Sequence, residues 1–94
     1  MATTMIGIKL FAEFLGSFLL ALSVMASGGN FLVIGATLAV IVFLIGGISG
    51  AAVNPAISLT LWYNGVLSSQ MFAYYSVAQL LGGLAAAYSY NIVG

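Results

Sequence analysis

Gly46-Gly47-Ile48-Ser49-Gly50-Ala51-Ala52-Val53-Asn54-Pro55-Ala56-Ile57-Ser58-Leu59-Thr60-Leu61-Trp62-Tyr63 is the stretch on which the reading of this chain turns. It opens glycine-rich, carries the chain's single proline, and then takes on a helical pattern. Proline has no N–H to lose in the first turn of a helix, so Pro55 suits that position and Asn54 suits the N-cap before it. From Pro55 to Tyr63 a helix rises only about 13 Å at about 1.5 Å per residue. A bilayer core is about 30 Å thick, so this helix reaches halfway. The segment is too apolar to lie in bulk water. Irregular backbone at membrane depth is tolerated only where it is buried in protein or lines a wet cavity. The stretch therefore reads as a re-entrant loop and half-helix over about residues 49–63. The competing reading, a short helix lying flat on the membrane, needs a charged face. Ser58 and Thr60 do not make one.

Working outward, three long apolar segments flank this stretch, at about Met5–Ala26, Phe31–Ile48 and Ser69–Val93. Each is close to the roughly 20 residues that an α-helix needs to cross a bilayer. Gly28-Gly29-Asn30 and Asn64-Gly65 punctuate them as turns. The expectation is an all-α membrane protein, one domain over residues 1–94, with three transmembrane helices and one re-entrant half-helix. An odd number of spans puts the two termini on opposite sides. The first span is read as retained: the run from Leu10 to Ala26 is long, Met25-Ala26-Ser27 is a poor cleavage site, and the chain beyond it is also membrane-spanning in character.

Composition supports this and narrows the chemistry. Of 94 residues 64% are hydrophobic, and Lys9 and Glu13 alone are charged. A soluble domain keeps its surface wet with about a quarter of its residues charged. Lipid must therefore be the solvent, and the chain reads as an integral, multi-pass membrane protein. It has no basic patch for nucleic acid. Cysteine and histidine are both absent, which removes disulfides, the thiol nucleophile, and the commonest general base and metal ligand. No enzyme activity, cofactor or metal site is expected.

Ser49-Gly50-Ala51-Ala52-Val53-Asn54-Pro55-Ala56-Ile57-Ser58-Leu59 resembles the first signature loop, approximately SGAHxNPAVTL, of the aquaporin or major intrinsic protein family. Ala12-Glu13-Phe14-Leu15-Gly16-Ser17-Phe18 is similar to that family's first-helix AEFLGTF, and Ala78-Gln79-Leu80-Leu81-Gly82-Gly83 to the AQxxGA of its third helix. The three motifs stand in the family's order and spacing and cover nearly the whole chain. A complete member has six spans and two such loops in an inverted repeat, which places the functional site at the midplane where the halves meet. This chain matches the first repeat only, so a second chain must supply the other half of any pore.

The resemblance implies a passive channel for water or small uncharged solutes such as glycerol, in a lipid bilayer. It assigns Asn54, Pro55 and Ala56 to the pore motif. Asn54 would cap the half-helix and turn an amide N–H into the cavity, beside a helix end worth roughly half a positive charge. Gly50, Ala51, Ala52 and Val53 would be extended, their carbonyls facing the path. Ala52 stands where many members carry His. Glu13 and Gln79 would support the loop by accepting or bridging its N–H groups. Span orientation follows Lys and Arg near the span ends, and Lys9 alone is available. The bias is weak enough for both orientations. Two oppositely oriented copies would then form an antiparallel homodimer as the pore unit, with four pores from eight chains by analogy with the tetrameric family. The other readings are a non-conducting membrane structural or interaction protein, and a fragment of a longer channel.

In the family an Arg three residues after the second loop's Asn narrows the path. Here that position is Ile57, and by spacing the other filter-like positions fall at Ile34, Val42 and Ala51. All four are apolar. Gly82 with Ala86, and Gly46 with Gly50, carry the small-residue spacing of close helix crossings.

Overall fold

The computed structural model describes residues 2–93; Met1 and Gly94, the ends of the expected domain, lie outside the described residues. The chain forms four helices, α1 (Ala2–Ala26), α2 (Phe31–Ser49), α3 (Pro55–Tyr63) and α4 (Ser69–Val93). α1 starts three residues ahead of the expected Met5, because Ala2-Thr3-Thr4 continue the helix.

Local chemistry sets each boundary. Between α1 and α2, Gly28 and Gly29 take φ of +65° and +81°, a region that costs glycine nothing. Asn30 then caps α2: its Oδ1 accepts the N–H groups of Leu32 and Val33 at 3.0 and 3.1 Å. The sequence pattern marks only a turn there. α2 stops at Gly50, whose φ of +88° is the left-handed geometry that ends many helices. α3 begins with Pro55 in its first turn, and the Asn54 Oδ1 accepts the Ala56 N–H at 2.7 Å.

α1 over Thr3–Ala26 and the whole of α2 are long and apolar enough to cross a membrane. α4 has the length, 25 residues, but Gln70, Gln79, Ser89 and Asn91 dilute its apolar character. The three expected spans are therefore matched in length by three helices and in apolarity by two. The long dimension of the molecule is 38 Å, enough for a hydrocarbon core of about 30 Å. Phe31, Phe43, Leu44, Leu80 and Leu84 stand exposed around it.

α1 is the central element. It packs along α4 on one side and α2 on the other, while α3 packs on α4. At the α1–α4 crossing a Cβ on Gly82 would lie 2.5 Å from the Phe14 carbonyl oxygen and 3.0 Å from the Phe18 nitrogen. Ala86, one turn further, is buried. The Gly82/Ala86 pair thus is a close crossing. The Gly46/Gly50 pair is not: a Cβ on Gly50 would meet nothing within 4 Å, and one on Gly46 only Val42 at 3.7 Å. The reason is that α2 turns Ile41 and Ile45 toward α1 around Gly16, and its glycines sit elsewhere on the helix.

This predicts that Gly82→Ala destabilises the protein by about 1–3 kcal/mol, the usual cost of overpacking, because backbone atoms cannot yield as a side chain would. Gly83→Ala, where a Cβ meets nothing within 4 Å, serves as the control. Thermal melting in mild detergent reads both. Equal melting of the two variants would show that the crossing is looser than its geometry.

Candidate functional site

The chain between α2 and α3 turns back into the fold. The side chains of Ala51, Ala52 and Val53 are buried, and the loop meets α1 at Glu13 and Gly16, close to that helix's midpoint. The expectation of an extended stretch fails here. Ala51 and Val53 have φ of +52° and +43°, following Gly50 at +88°. A β-branched residue in this region is a true outlier, and such strain persists only where the surroundings over-determine it. The Val53 N–H is held at 2.8 Å by Glu13 Oε1. Its side chain fills the notch above Gly16, where a Cβ would come within 2.6 Å of Val53 Cγ1. Extended backbone would aim successive N–H groups to opposite sides. The left-handed turns aim the Ala52 and Val53 N–H groups at one carboxylate, an anion-holding nest.

Glu13 is fully buried and accepts from four donors. Oε2 takes the Ser49 hydroxyl at 2.6 Å and the Ala52 N–H at 3.2 Å. Oε1 takes the Val53 N–H and Gln79 Nε2, both at 2.8 Å. Gln79 also bonds the Ser58 hydroxyl, 2.7 Å from its Nε2 and 3.0 Å from its Oε1. The Tyr75 hydroxyl donates to the Ser49 carbonyl at 2.7 Å. A carboxylate is an acceptor only, and bonds to a charged acceptor are about twice as strong as neutral ones. One buried group therefore ties α1, the end of α2, the loop and α4 together, and Gln79 extends the tie to α3.

Ser49, Ser58 and Tyr75 belong to this network, and the sequence pattern does not single them out. A signal exists for two of them. Tyr75 and Gln79 stand four apart, on one helix face, and Ser58 stands four after Asn54. Serine and tyrosine are common enough in such helices that the spacing alone does not stand out.

The loop's donors and acceptors are unequal. The Gly50 N–H goes to the Gly46 carbonyl at 3.1 Å, the Ala51 N–H to Ser49 Oγ at 3.3 Å, and the next two to Glu13. Among the described residues no donor reaches the carbonyl oxygens of Gly50, Ala51, Ala52 or Val53. Ala51, Ala52 and Val53 are buried and Gly50 is exposed; backbone carbonyls within a fold are nearly always paired, so four in a row without a protein donor form an acceptor strip. Asn54 comes directly after it. Its Oδ1 is spent on the cap, which leaves the amide NH2 as the free group of an exposed side chain. A cleft of about 550 Å³ opens there, lined by Ser17, Val53, Asn54, Pro55, Gln79 and Gly83 among others. Ala56 is exposed beside it in the first turn of α3.

The filter-like positions are spread out. Ala51 is buried in the loop and Ile57 is exposed in the first turn of α3. Ile34 is half-buried on α2, and Val42 is exposed on the same helix, about 12 Å further along its axis at about 1.5 Å per residue. Within one chain these four do not make a single ring.

Comparison with known proteins adds the family context. Residues 2–93 match the family described as major intrinsic protein. The chain is 38% identical over 93 residues to "Aquaporin Z" of Brucella melitensis biotype 1, covering 84% of this chain and 41% of that protein. It is 45% identical over 53 residues to "Probable aquaporin PIP2-7" of Oryza sativa subsp. japonica, covering 56% of this chain and 18% of that protein. The chain thus spans less than half the length of these curated relatives. No solved structure matches it.

Proposed function

The chain belongs to the major intrinsic protein family, and on that footing we propose that it builds a passive membrane channel for water and small uncharged solutes such as glycerol, its pore completed by a second, oppositely oriented copy. The acceptor strip carries this reading. Four consecutive carbonyls lack a protein donor, whereas the four N–H groups of the same residues are all paired. In a membrane each unpaired polar group costs several kcal/mol. A file of molecules bearing O–H or N–H groups relieves that cost without leaving charge behind. Asn54 adds a donor at the end of the strip, and the α3 N-terminus adds a positive dipole that opposes cations.

In this reading α4 is the third span and α3 the re-entrant half-helix. The support is that the loop meets α1 near its midpoint, at Glu13 and Gly16. A helix of nine residues starting there then covers about 13 Å back toward one surface. The second copy is inferred from the single signature loop and from Lys9 being the sole orienting cation. With Ile34, Val42, Ala51 and Ile57 as the narrowing residues, the path lacks a fixed cation. Water then passes more slowly than in a strict water channel, and glycerol relatively better.

One observation favours a second reading. The relatives are more than twice the length of the matched region, as they would be if this chain were the first half of a longer channel whose own second half completes the pore. Proteoliposomes made from this chain alone separate the two. We expect shrinkage under an osmotic step to exceed that of empty vesicles, with glycerol passing. No flux above empty vesicles would mean that the chain by itself forms no pore. Fast water flux with glycerol excluded would mean that the four apolar positions are not the filter.

A further inference from the structure

The Ser49–Gly50 peptide joins α2 to the acceptor strip, and both of its polar groups are held. Its N–H bonds the Gly46 carbonyl at 3.1 Å. Its carbonyl accepts the Tyr75 hydroxyl at 2.7 Å. Gly50 brings no side chain to this peptide and sits in open space at φ +88°, while on its other side Ser49 is anchored through its hydroxyl to Glu13 Oε2 at 2.6 Å. Glycine tolerates either hand, so the plane of the peptide is set by hydrogen bonds. Ser49 is also the last residue of α2, where helix carbonyls lack intrahelical partners. α2 packs on α1 and does not pack on α4. Among the described residues the Tyr75–Ser49 bond is the one hydrogen bond that joins α4 to α2.

We propose that Tyr75 is a positioning residue for permeation: its hydroxyl takes the Ser49 carbonyl out of the path and fixes the direction in which the chain leaves α2, so that the free carbonyls begin at Gly50. The ring of Tyr75, only 2% exposed, does the packing. The hydroxyl does the aiming. This assignment rests on the channel reading, and it separates Tyr75 from Glu13, which holds the Ser49 hydroxyl and the loop N–H groups of Ala52 and Val53 but leaves the Ser49 carbonyl to Tyr75. Without the hydroxyl the peptide is held at one end only, and it gains a free acceptor ahead of the strip.

Tyr75→Phe keeps the ring and removes the bond. Amide hydrogen exchange at Gly50–Val53 is expected to rise about tenfold, the order that one such bond sets, with exchange along α1 and α4 unchanged. In vesicles the water-to-glycerol permeability ratio is expected to shift by about threefold or more at equal protein content and oligomer size, since roughly one hydrogen bond changes along the path. Tyr74→Phe is the control. Its hydroxyl accepts from Gln70 Nε2 at 3.0 Å on the exposed side, and its loss should move neither reading. Wild-type exchange in the loop together with an unchanged ratio would overturn the assignment. So would faster exchange through all of α4 with a lower melting temperature, which is what a purely structural residue gives. If the wild-type chain conducts nothing, the channel reading fails by itself, and the exchange pattern still decides whether Tyr75 aims the loop.

Discussion

Glu13→Ala is expected to lower stability in detergent by about 4 kcal/mol, since each buried donor left without an acceptor costs on the order of 1–3 kcal/mol and some of the four can rearrange. Four donors lose their acceptor at once: the Ser49 hydroxyl, the Ala52 and Val53 N–H groups and Gln79 Nε2. The Val53 backbone, at φ +43°, would no longer be held in its strained region, and the loop should leave the nest. Glu13→Gln should cost less, about 1–3 kcal/mol, the order that an unpaired buried group sets. One amide oxygen can keep both the Val53 N–H and Gln79 Nε2. The amide nitrogen then faces Ser49 Oγ, which can turn to accept, leaving the Ala52 N–H and the Ser49 hydroxyl proton without their carboxylate acceptor. Melting in mild detergent gives the order wild type, Gln, Ala, and exchange at Ala52 and Val53 should rise in the same order. An Ala variant that melts with the wild type would show that the carboxylate does not organise the loop.

Asn54→Asp should leave folding intact and cut water permeability by about tenfold, the equivalent of about 1.4 kcal/mol. Aspartate caps a helix as well as asparagine does, and a negative charge is favourable at a helix N-terminus. The bond from the Ala56 N–H to the side-chain oxygen therefore survives. What is lost is the amide NH2, the one side-chain donor next to four free carbonyls. The variant would offer acceptors only, with a carboxylate in place of the donor. A solute arriving with its own donors would be held too tightly at one end of the path and unmet at the other. Stopped-flow shrinkage of vesicles, matched to melting of the same preparation, makes the measurement. Unchanged flux with unchanged melting would reduce Asn54 to a cap.

Much of the fold is legible in the sequence because its signals are local. Apolarity over about 20 residues marks a helix long enough to cross a membrane from composition alone, and α1 and α2 meet that mark. Pro55 after Asn54 starts a helix for reasons held within two residues, and the turns at Gly28-Gly29 and Asn64-Gly65 depend on glycine's own freedom. Sequence places the start of α1 late because apolarity marks a span, whereas helical backbone can run on through Thr3 and Thr4 into its polar margin.

The site is legible in part. Glu13 and Gln79 stand out because a carboxylate and an amide are expensive inside an apolar helix. Their four-donor arrangement does not, because Ser49 and the loop N–H groups lie 36 to 40 residues from Glu13 along the chain.

By itself, then, the sequence determined four helices, a lipid-facing composition and a family, since each rests on patterns of nearby residues. Only the tertiary structure decided that the loop is left-handed at Ala51 and Val53, that Gly82 and not Gly46 is the tight crossing, and that Tyr75 reaches Ser49. Each of these depends on which helix faces which. A left-handed valine is unfavourable in isolation, and it becomes the stable choice only when Glu13 and the notch at Gly16 are brought to meet it.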